Sequence, residues 1–246
     1  MSRVPLNNIK GTDRQLLVAL GLACVLIFFA VYYAEHREVN DARTLAGRTL
    51  EASADVKSYQ FDIHSNISMM GEYFTLVRGN GSVDYLNEKM AVRLGSVDDS
   101  MEMIIVDGKA YFKNADHLWE RRGLNRNIWE SYDQLTNMNL LLANSTNLSM
   151  EKTDAYFILT AFPDGNAFIR EAENAGLQLK GNERLNEYRI SYIIQRDSYH
   201  IRSIESHMEF MMNVQGLITP VAINNRVDVY DYNIKVGIEA PVMEEG

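Results

Sequence analysis

After its first fifteen residues the chain enters an apolar run and then changes hydrophobic period three times. Leu16 to Ala34, LLVALGLACVLIFFAVYYA, contains no charge and no proline. A helix rises about 1.5 Å per residue, so this run just crosses a hydrocarbon layer of about 30 Å. Tyr32 and Tyr33 close it, where amphipathic rings favour the headgroup level. From Glu38 to Asp55, Val39, Ala42, Leu45, Ala46 and Leu50 recur at helical spacing. They predict a helix lying against the domain that follows, or a solvated stalk continuing the membrane helix.

The period then falls to two. In KSYQFDIHSNISM, Tyr59, Phe61, Ile63, Ile67 and Met69 alternate with Gln60, Asp62, His64 and Asn66, the mark of a half-buried strand. Turns at Gly71-Glu72 and Asn87-Glu88 lead into YFTLVRGNGSVDYL and KMAVRLGSV. MEMIIV and KAYFKN flank Asp107-Gly108, which suits the positive φ angles of a type I′ hairpin. Strands joined this tightly are antiparallel.

Helical spacing returns between Asn127 and Ala143, where Ile128, Trp129, Tyr132, Leu135, Met138, Leu141 and Leu142 form one stripe. The strand DAYFILTAF ends at Pro163-Asp164-Gly165, and a short helix runs to Gly176. A meander finishes the chain. NEYRISYIIQR aligns Tyr188, Ile190, Tyr192 and Ile194; YHIRSIESHMEFMM aligns Ile204, Met208, Phe210 and Met212; NRVDVYDYNIKVGIEAP closes the sheet.

The fold class is therefore α+β: an N-terminal transmembrane helix, then a curved antiparallel β half-barrel of about ten strands with helices packed over its concave face. Residues 1–15 form a short cytoplasmic tail, 16–34 the span and 35–246 one extracytoplasmic domain. Basic residues nearly balance across the span, with Arg3, Lys10 and Arg14 before it and Arg37, Arg43 and Arg48 after it. The short basic tail and four sequons, at Asn66, Asn80, Asn144 and Asn147, favour a C-terminal domain outside the cytoplasm. A cleavable signal peptide ending at Ala34 is the alternative. Cys24 is the chain's one cysteine. Gly21 stands where a lipobox needs an aliphatic residue, and the sequence stays apolar past the cysteine, so Cys24 reads as a helix residue.

Charge narrows the function. Residues 1–34 hold three basic groups and one acidic; removing them leaves 21 basic against 32 acidic, a net charge of −11. That excludes non-specific nucleic-acid binding and adhesion to anionic headgroups. With no second cysteine, the domain depends on packing rather than disulfides.

Motifs of chemistry are missing. The histidines His36, His64, His117, His200 and His207 include no HExxH pair, and His200 and His207, seven apart on one predicted strand, point to opposite faces. There is no GxSxG or SxxK, and RGNGSV lies within a strand pattern with no helix after it. Asp98-Asp99 reads as a polar turn, and Asp228 and Asp231 differ in parity. The sequence thus predicts no enzyme, no metal and no cofactor.

The 13 tyrosines and 12 methionines are the better signal, since methionine fills irregular apolar space. A hydrophobic cleft between sheet and helices is assigned to Tyr59, Phe61, Ile63, Met69, Met103, Ile105, Trp129, Tyr132, Tyr188, Tyr192, Met208 and Phe210. The same residues also describe an ordinary core. The alternatives are thus a lipid or other hydrophobic small-molecule ligand and a filled envelope module that contacts neighbouring proteins. A sensor role has no signalling partner in the chain.

Three stretches carry a resemblance: VKSYQFDIHSNI after a helix, the strand pair IIVDGKAYFKN…LWERR, and the terminal VYDYNIKVGIEAP. Their order, over roughly residues 38 to 242, resembles the LolA/LolB-like lipoprotein-carrier superfamily, above all its LppX/LprG-like branch. The resemblance implies an unclosed half-barrel with a helical lid over a cavity for acyl chains or lipids, in a cell envelope. It supplies no catalytic motif. A tethered member would capture ligand locally rather than shuttle it.

Overall fold

The computed structural model describes residues 19–28, 39–96, 99–113, 118–163, 184–214 and 216–243. The chain divides into two units, Met1–Asn40 and Asp41–Gly246. In the first, residues 19–28 form helix α1, with Cys24 exposed among exposed apolar side chains. The rest of the predicted span 16–34 and the tail 1–15 lie outside the described residues. Among the described residues no helix is long and apolar enough to cross a membrane.

The second unit begins with α2 (Ala42–Ala54), whose N-cap Asp41 accepts a hydrogen bond from the Thr44 amide at 2.8 Å. Leu45, Ala46, Thr49 and Ser53 form its buried face, so α2 is a packed helix and not a stalk. Strands β1 (Ser58–Met69), β2 (Glu72–Asp84), β3 (Lys89–Gly95), β4 (Ser100–Val106), β5 (Lys109–Lys113) and β6 (Trp119–Gly123) follow. After them come α3 (Arg126–Tyr132), α4 (Gln134–Asn144), β7 (Asn147–Lys152), β8 (Tyr156–Phe162), β9 (Arg184–Gln195), β10 (Ile201–Val214) and β11 (Leu217–Tyr230).

All eleven strands belong to one open sheet in the order β6-β5-β4-β3-β2-β1-β11-β10-β9-β8-β7. Every pairing is antiparallel. The first and last strands meet at its centre, while β6 and β7, close in sequence, form its two edges. Ten strand spacings of about 4.8 Å would set those edges about 48 Å apart in a flat sheet. The link between them holds helices of 7 and 11 residues, about 27 Å in all, and five further residues. Fully extended, it reaches about 50 Å, barely that width. Held over the inner face by Tyr59 and Tyr192 rather than stretched straight, it fits a sheet bent toward its helical side.

Two glycines permit close packing between β2 and its neighbours. Gly81 of β2 faces Phe61 of β1 across the ladder, and a Cβ there would lie 2.5 Å from the Phe61 ring and 2.9 Å from the Ala91 carbonyl oxygen. A Cβ on Gly79 would run into the Arg93 carbonyl oxygen. The motif RGNGSV is thus a site of close strand approach. Asp107 and Gly108 have φ of 52° and 68°, as the expected type I′ hairpin requires.

Several expectations need correction. There are eleven strands among the described residues, not about ten. The unpredicted β7, NLSMEK, is a polar edge strand with only Leu148 and Met150 alternating. The single helix expected over Asn127 to Ala143 is two helices, broken where Asp133 leaves helical geometry at φ −79°, ψ 90°. The first hairpin turns at Met70-Gly71, one residue earlier than expected, with φ of 57° and 84°. The last strand ends at Tyr230, because Asp231 and Asn233 take φ of 52° and 60° and turn the tail across the start of β1. His200 precedes β10, stacked on Tyr232 at 4.5 Å, and does not share a strand with His207. The helix expected to end at Gly176 lies outside the described residues.

Adding one methyl at Gly81→Ala forces Phe61 from its packed position. We expect a loss of about 2 kcal/mol in urea unfolding, the usual cost of overpacking, with no comparable loss for Gly123→Ala, whose Cβ meets nothing.

Candidate functional site

Ladder register identifies one face of the sheet as the inner face. One row crosses it through Met101, Leu94, Gly79, Ile63, Val227, Ile204, Tyr192, Leu159 and Met150. Parallel rows carry Ile105, Met90, Val83 and Tyr59, then Met103, Val92, Gly81, Phe61 and Val229. Toward the far end of the strands lie Phe74, Ile67, Ile223, Met208 and Tyr188, then Met69, Val221, Phe210 and Leu185. The alternation read from the sequence thus becomes a largely apolar surface, interrupted on the three central strands by Ser65, Asn225 and Ser206.

Side-chain hydroxyls hold α4 over this surface. The Tyr59 hydroxyl donates to Asp133 Oδ1 at 2.8 Å and accepts from the Leu135 amide at 3.2 Å. From β9, the Tyr192 hydroxyl donates to the Met138 carbonyl at 2.9 Å. Asp133 is 1% exposed and ends α3 and caps α4 at once. Its oxygens accept from the Thr136 amide at 3.1 Å and the Thr136 hydroxyl at 2.8 Å. They also accept from the Tyr85 hydroxyl at 2.9 and 3.0 Å, and from Trp129 Nε1 at 3.3 Å. A buried carboxyl with this many donors is satisfied despite its burial. Tyr59, Tyr85 and Trp129 form a chain of tilted ring contacts around it, 6.0 and 6.3 Å between centroids.

All twelve predicted cleft residues lie on this inner face or on the helices beside it. Tyr59, Phe61, Met103, Ile105, Tyr188, Tyr192, Met208 and Phe210 are buried. Ile63, Met69, Trp129 and Tyr132 are half-buried. Trp129 belongs to the Asp133 cluster, and the Tyr132 hydroxyl donates to Met101 Sδ at 3.5 Å. The half-buried apolar stretch is Ile63, Val77, Leu94, Met101 and Tyr132. At the tips of the neighbouring hairpins β1–β2 and β10–β11, the second reaching four residues further, Met70, Tyr73, Phe74, Leu217 and Ile218 form an exposed apolar rim, with Tyr73 at 79% and Ile218 at 74%.

Sequence reading missed Asp133 and Tyr85, whose roles depend on elements far apart in the chain; the one local signal was Asp133 three residues before Thr136, a helix-cap spacing. It also passed over Leu94 and Met101, although their parity marked them. The sequon residues Asn80, Asn144 and Asn147 are exposed and Asn66 is half-buried.

The outer face is polar. A recess of about 410 Å³ is bordered by His64, Asn66, Arg189, Glu205, His207, Asn224 and Arg226. Ser206 and Asn225 border it too, although register gives them inner-face parity. A second, of about 480 Å³, adjoins Asp62, His64, Arg78, Asn80 and Arg93, and Gly79 and Leu94 border it although register gives them inner-face parity. Neither contains a predicted cleft residue. The ligand atoms of Glu187, His207 and Glu209 fall within 4.8 Å of one another. Arg189 pairs with Glu187 at 3.3 Å, Asn186 donates to Glu209 at 3.3 Å, and His207 Nδ1 bonds Asn224 at 2.7 Å. The guanidinium beside Glu187 opposes a divalent cation there. Asp228 is held below the usual carboxylate range by its bond to Arg226, against some desolvation, as befits a surface ion pair.

A solved structure has the same architecture. LprF from Mycobacterium bovis superposes with a TM-score of 0.53 at 12% identity, over 81% of this chain and 96% of that one. The chain shares the LprF fold. At the level of fold this agrees with the resemblance noted in the sequence. A DUF1329 family protein from Desulfovibrio piger (10% identity, TM-score 0.32) and the LolA superfamily protein NE2245 from Nitrosomonas europaea (12%, 0.29) each align over 82% of this chain and 96% of theirs. No protein-family model and no curated protein sequence matches the chain.

The LprF-like sheet depends on neutral phenols at its lid. Burial first, then the Asp133 charge, raises the Tyr59 and Tyr85 hydroxyls above their ordinary value of 10.0. A raised folded value favours the protonated form, so this contribution is whole below pH 10 and is lost as pH climbs above it. Urea unfolding from pH 8 to 11.5 should show stability falling beyond pH 10, with a shallower fall in Tyr85→Phe. Asp133→Ala, which orphans two phenols and a helix cap, should cost about 3 kcal/mol at pH 7.

Proposed function

We propose that the chain is a membrane-tethered extracytoplasmic domain that holds an acyl chain or lipid against the inner face of its sheet, below α3 and α4. One observation carries this reading. The inner face is largely apolar across its central strands, and its half-buried residues Ile63, Leu94, Met101 and Met69 lead toward an exposed apolar rim. Removing about 300 Å² of ligand hydrocarbon from water supplies roughly 7 kcal/mol before ordering costs. No catalytic group is needed for that. The LprF fold supports the reading, because the superfamily that the sequence resembles binds acyl chains and lipids.

The tether is residues 16–34, of which 19–28 are helical. A domain so held takes ligand from the leaflet beside it rather than carrying it between membranes. The rim suits this: Met70, Tyr73, Phe74, Leu217 and Ile218 sit on projecting hairpin tips, whose one charged residue among those described is Glu72. A second reading, an envelope interaction module with a filled core, draws on the full burial of eight of the twelve cleft residues by the chain itself.

Full-length chain purified from membranes should yield an acyl-bearing lipid on extraction and a matching mass shift by native mass spectrometry. It should bind N-phenyl-1-naphthylamine, and Met101→Asp should weaken that binding at least about tenfold by placing a charge on the apolar stretch. No lipid and no probe binding would leave only the interaction module.

A further inference from the structure

We propose that Ser65, Asn225 and Ser206 form a polar row that recognises the ester or amide carbonyl of an acyl ligand; this rests on the apolar-ligand reading above. The three residues are ladder partners on the three strands β1, β11 and β10 at the centre of the sheet, with Ser65 opposite Asn225 and Asn225 opposite Ser206. All three have inner-face parity. The row on one side is Ile63, Val227 and Ile204, and the row on the other is Ile67, Ile223 and Met208. Three consecutive polar side chains therefore interrupt a face that is otherwise apolar here.

Their hydrogen bonding is incomplete in a directed way. The Ser65 hydroxyl donates to Asn225 Oδ1 at 2.5 Å, which occupies the amide's acceptor and leaves its N–H groups as donors. Ser206 is 5% exposed, and its Oγ is buried with no hydrogen-bond partner. A buried hydroxyl without a partner is unfavourable, and Ser206 Oγ is the one on this row; Thr49, Asn139 and Ser203 carry other unpartnered buried oxygens elsewhere. Asn225 is half-buried and is the group a ligand meets first; Ser206 lies one strand further along the same row.

The chemistry selects the ligand group. The row offers an amide N–H and a hydroxyl O–H, both neutral donors. Neither it nor the flanking rows hold a charged side chain, so a carboxylate or phosphate would be left unpaired there. A carbonyl oxygen set within hydrocarbon is a neutral acceptor and fits both demands. Plain hydrocarbon would leave the donors unsatisfied, so the row discriminates acylated molecules from alkanes.

The test incubates immobilised full-length chain with radiolabelled methyl palmitate or hexadecane. Wild type should bind methyl palmitate at least about fivefold more tightly than hexadecane, the worth of one good hydrogen bond. Asn225→Leu should abolish that preference while hexadecane binding persists. Ser206→Ala, which removes an orphaned hydroxyl with little change of shape, keeps the test available if Asn225→Leu does not fold, and should reduce the preference about threefold. Equal binding of ester and alkane by wild type, or a preference that survives both substitutions, overturns the polar row and leaves the apolar site standing. Binding of neither probe overturns both.

Discussion

The architecture depends on one buried carboxyl. Asp133 stops α3, starts α4, and receives the hydroxyls of Tyr59 from the central strand β1 and of Tyr85 from the turn after β2. A carboxyl can be kept so far from water only if donors surround it, and each donor residue here comes from a different element. The cluster therefore fixes the angle between the two helices and their height over the sheet together. The Tyr192 hydroxyl on Met138 holds α4 from the opposite arm of the sheet, so the lid is pinned on both sides of the centre.

That pinning defines what the inner face can do. An eleven-strand antiparallel sheet with one apolar side must cover it, and a second sheet is the common solution. Here the cover is a link that would have to be stretched straight to span a flat sheet, which favours a sheet bent toward it. Helices cross the face near Tyr59 and Tyr192. Along the strands the apolar rows continue past a central polar interruption to a rim of exposed hairpin residues. Glycines at 79 and 81 let adjacent strands pack tightly where side chains would collide.

Much of this was legible before the structure. Period-two alternation placed Tyr59, Phe61, Met103, Tyr192, Met208 and Phe210 on a common face, because side-chain direction in a strand follows from residue number alone. Asp107-Gly108 fixed a hairpin for the same local reason. The failures were local as well. β7 has only two apolar residues, too few to show a period, and exists because it pairs with β8. The break at Asp133 was hidden by an apolar stripe that continues across it. Ser206 shares the parity of Ile204 and Met208, yet nothing in the sequence says that it lacks a partner.

The amino-acid sequence by itself determined which residues alternate, where the short turns fall, that the chain carries a long apolar run and an acidic domain, and that catalytic motifs are missing. These are properties of neighbours along the chain. Which strands meet at the centre, how Asp133 gathers phenols from β1 and the β2–β3 turn, and how Ser65, Asn225 and Ser206 come to share one row were decided only in three dimensions. Each depends on pairing residues about 50 to 160 positions apart. No local pattern encodes such partners; the burial of the whole apolar face selects them together.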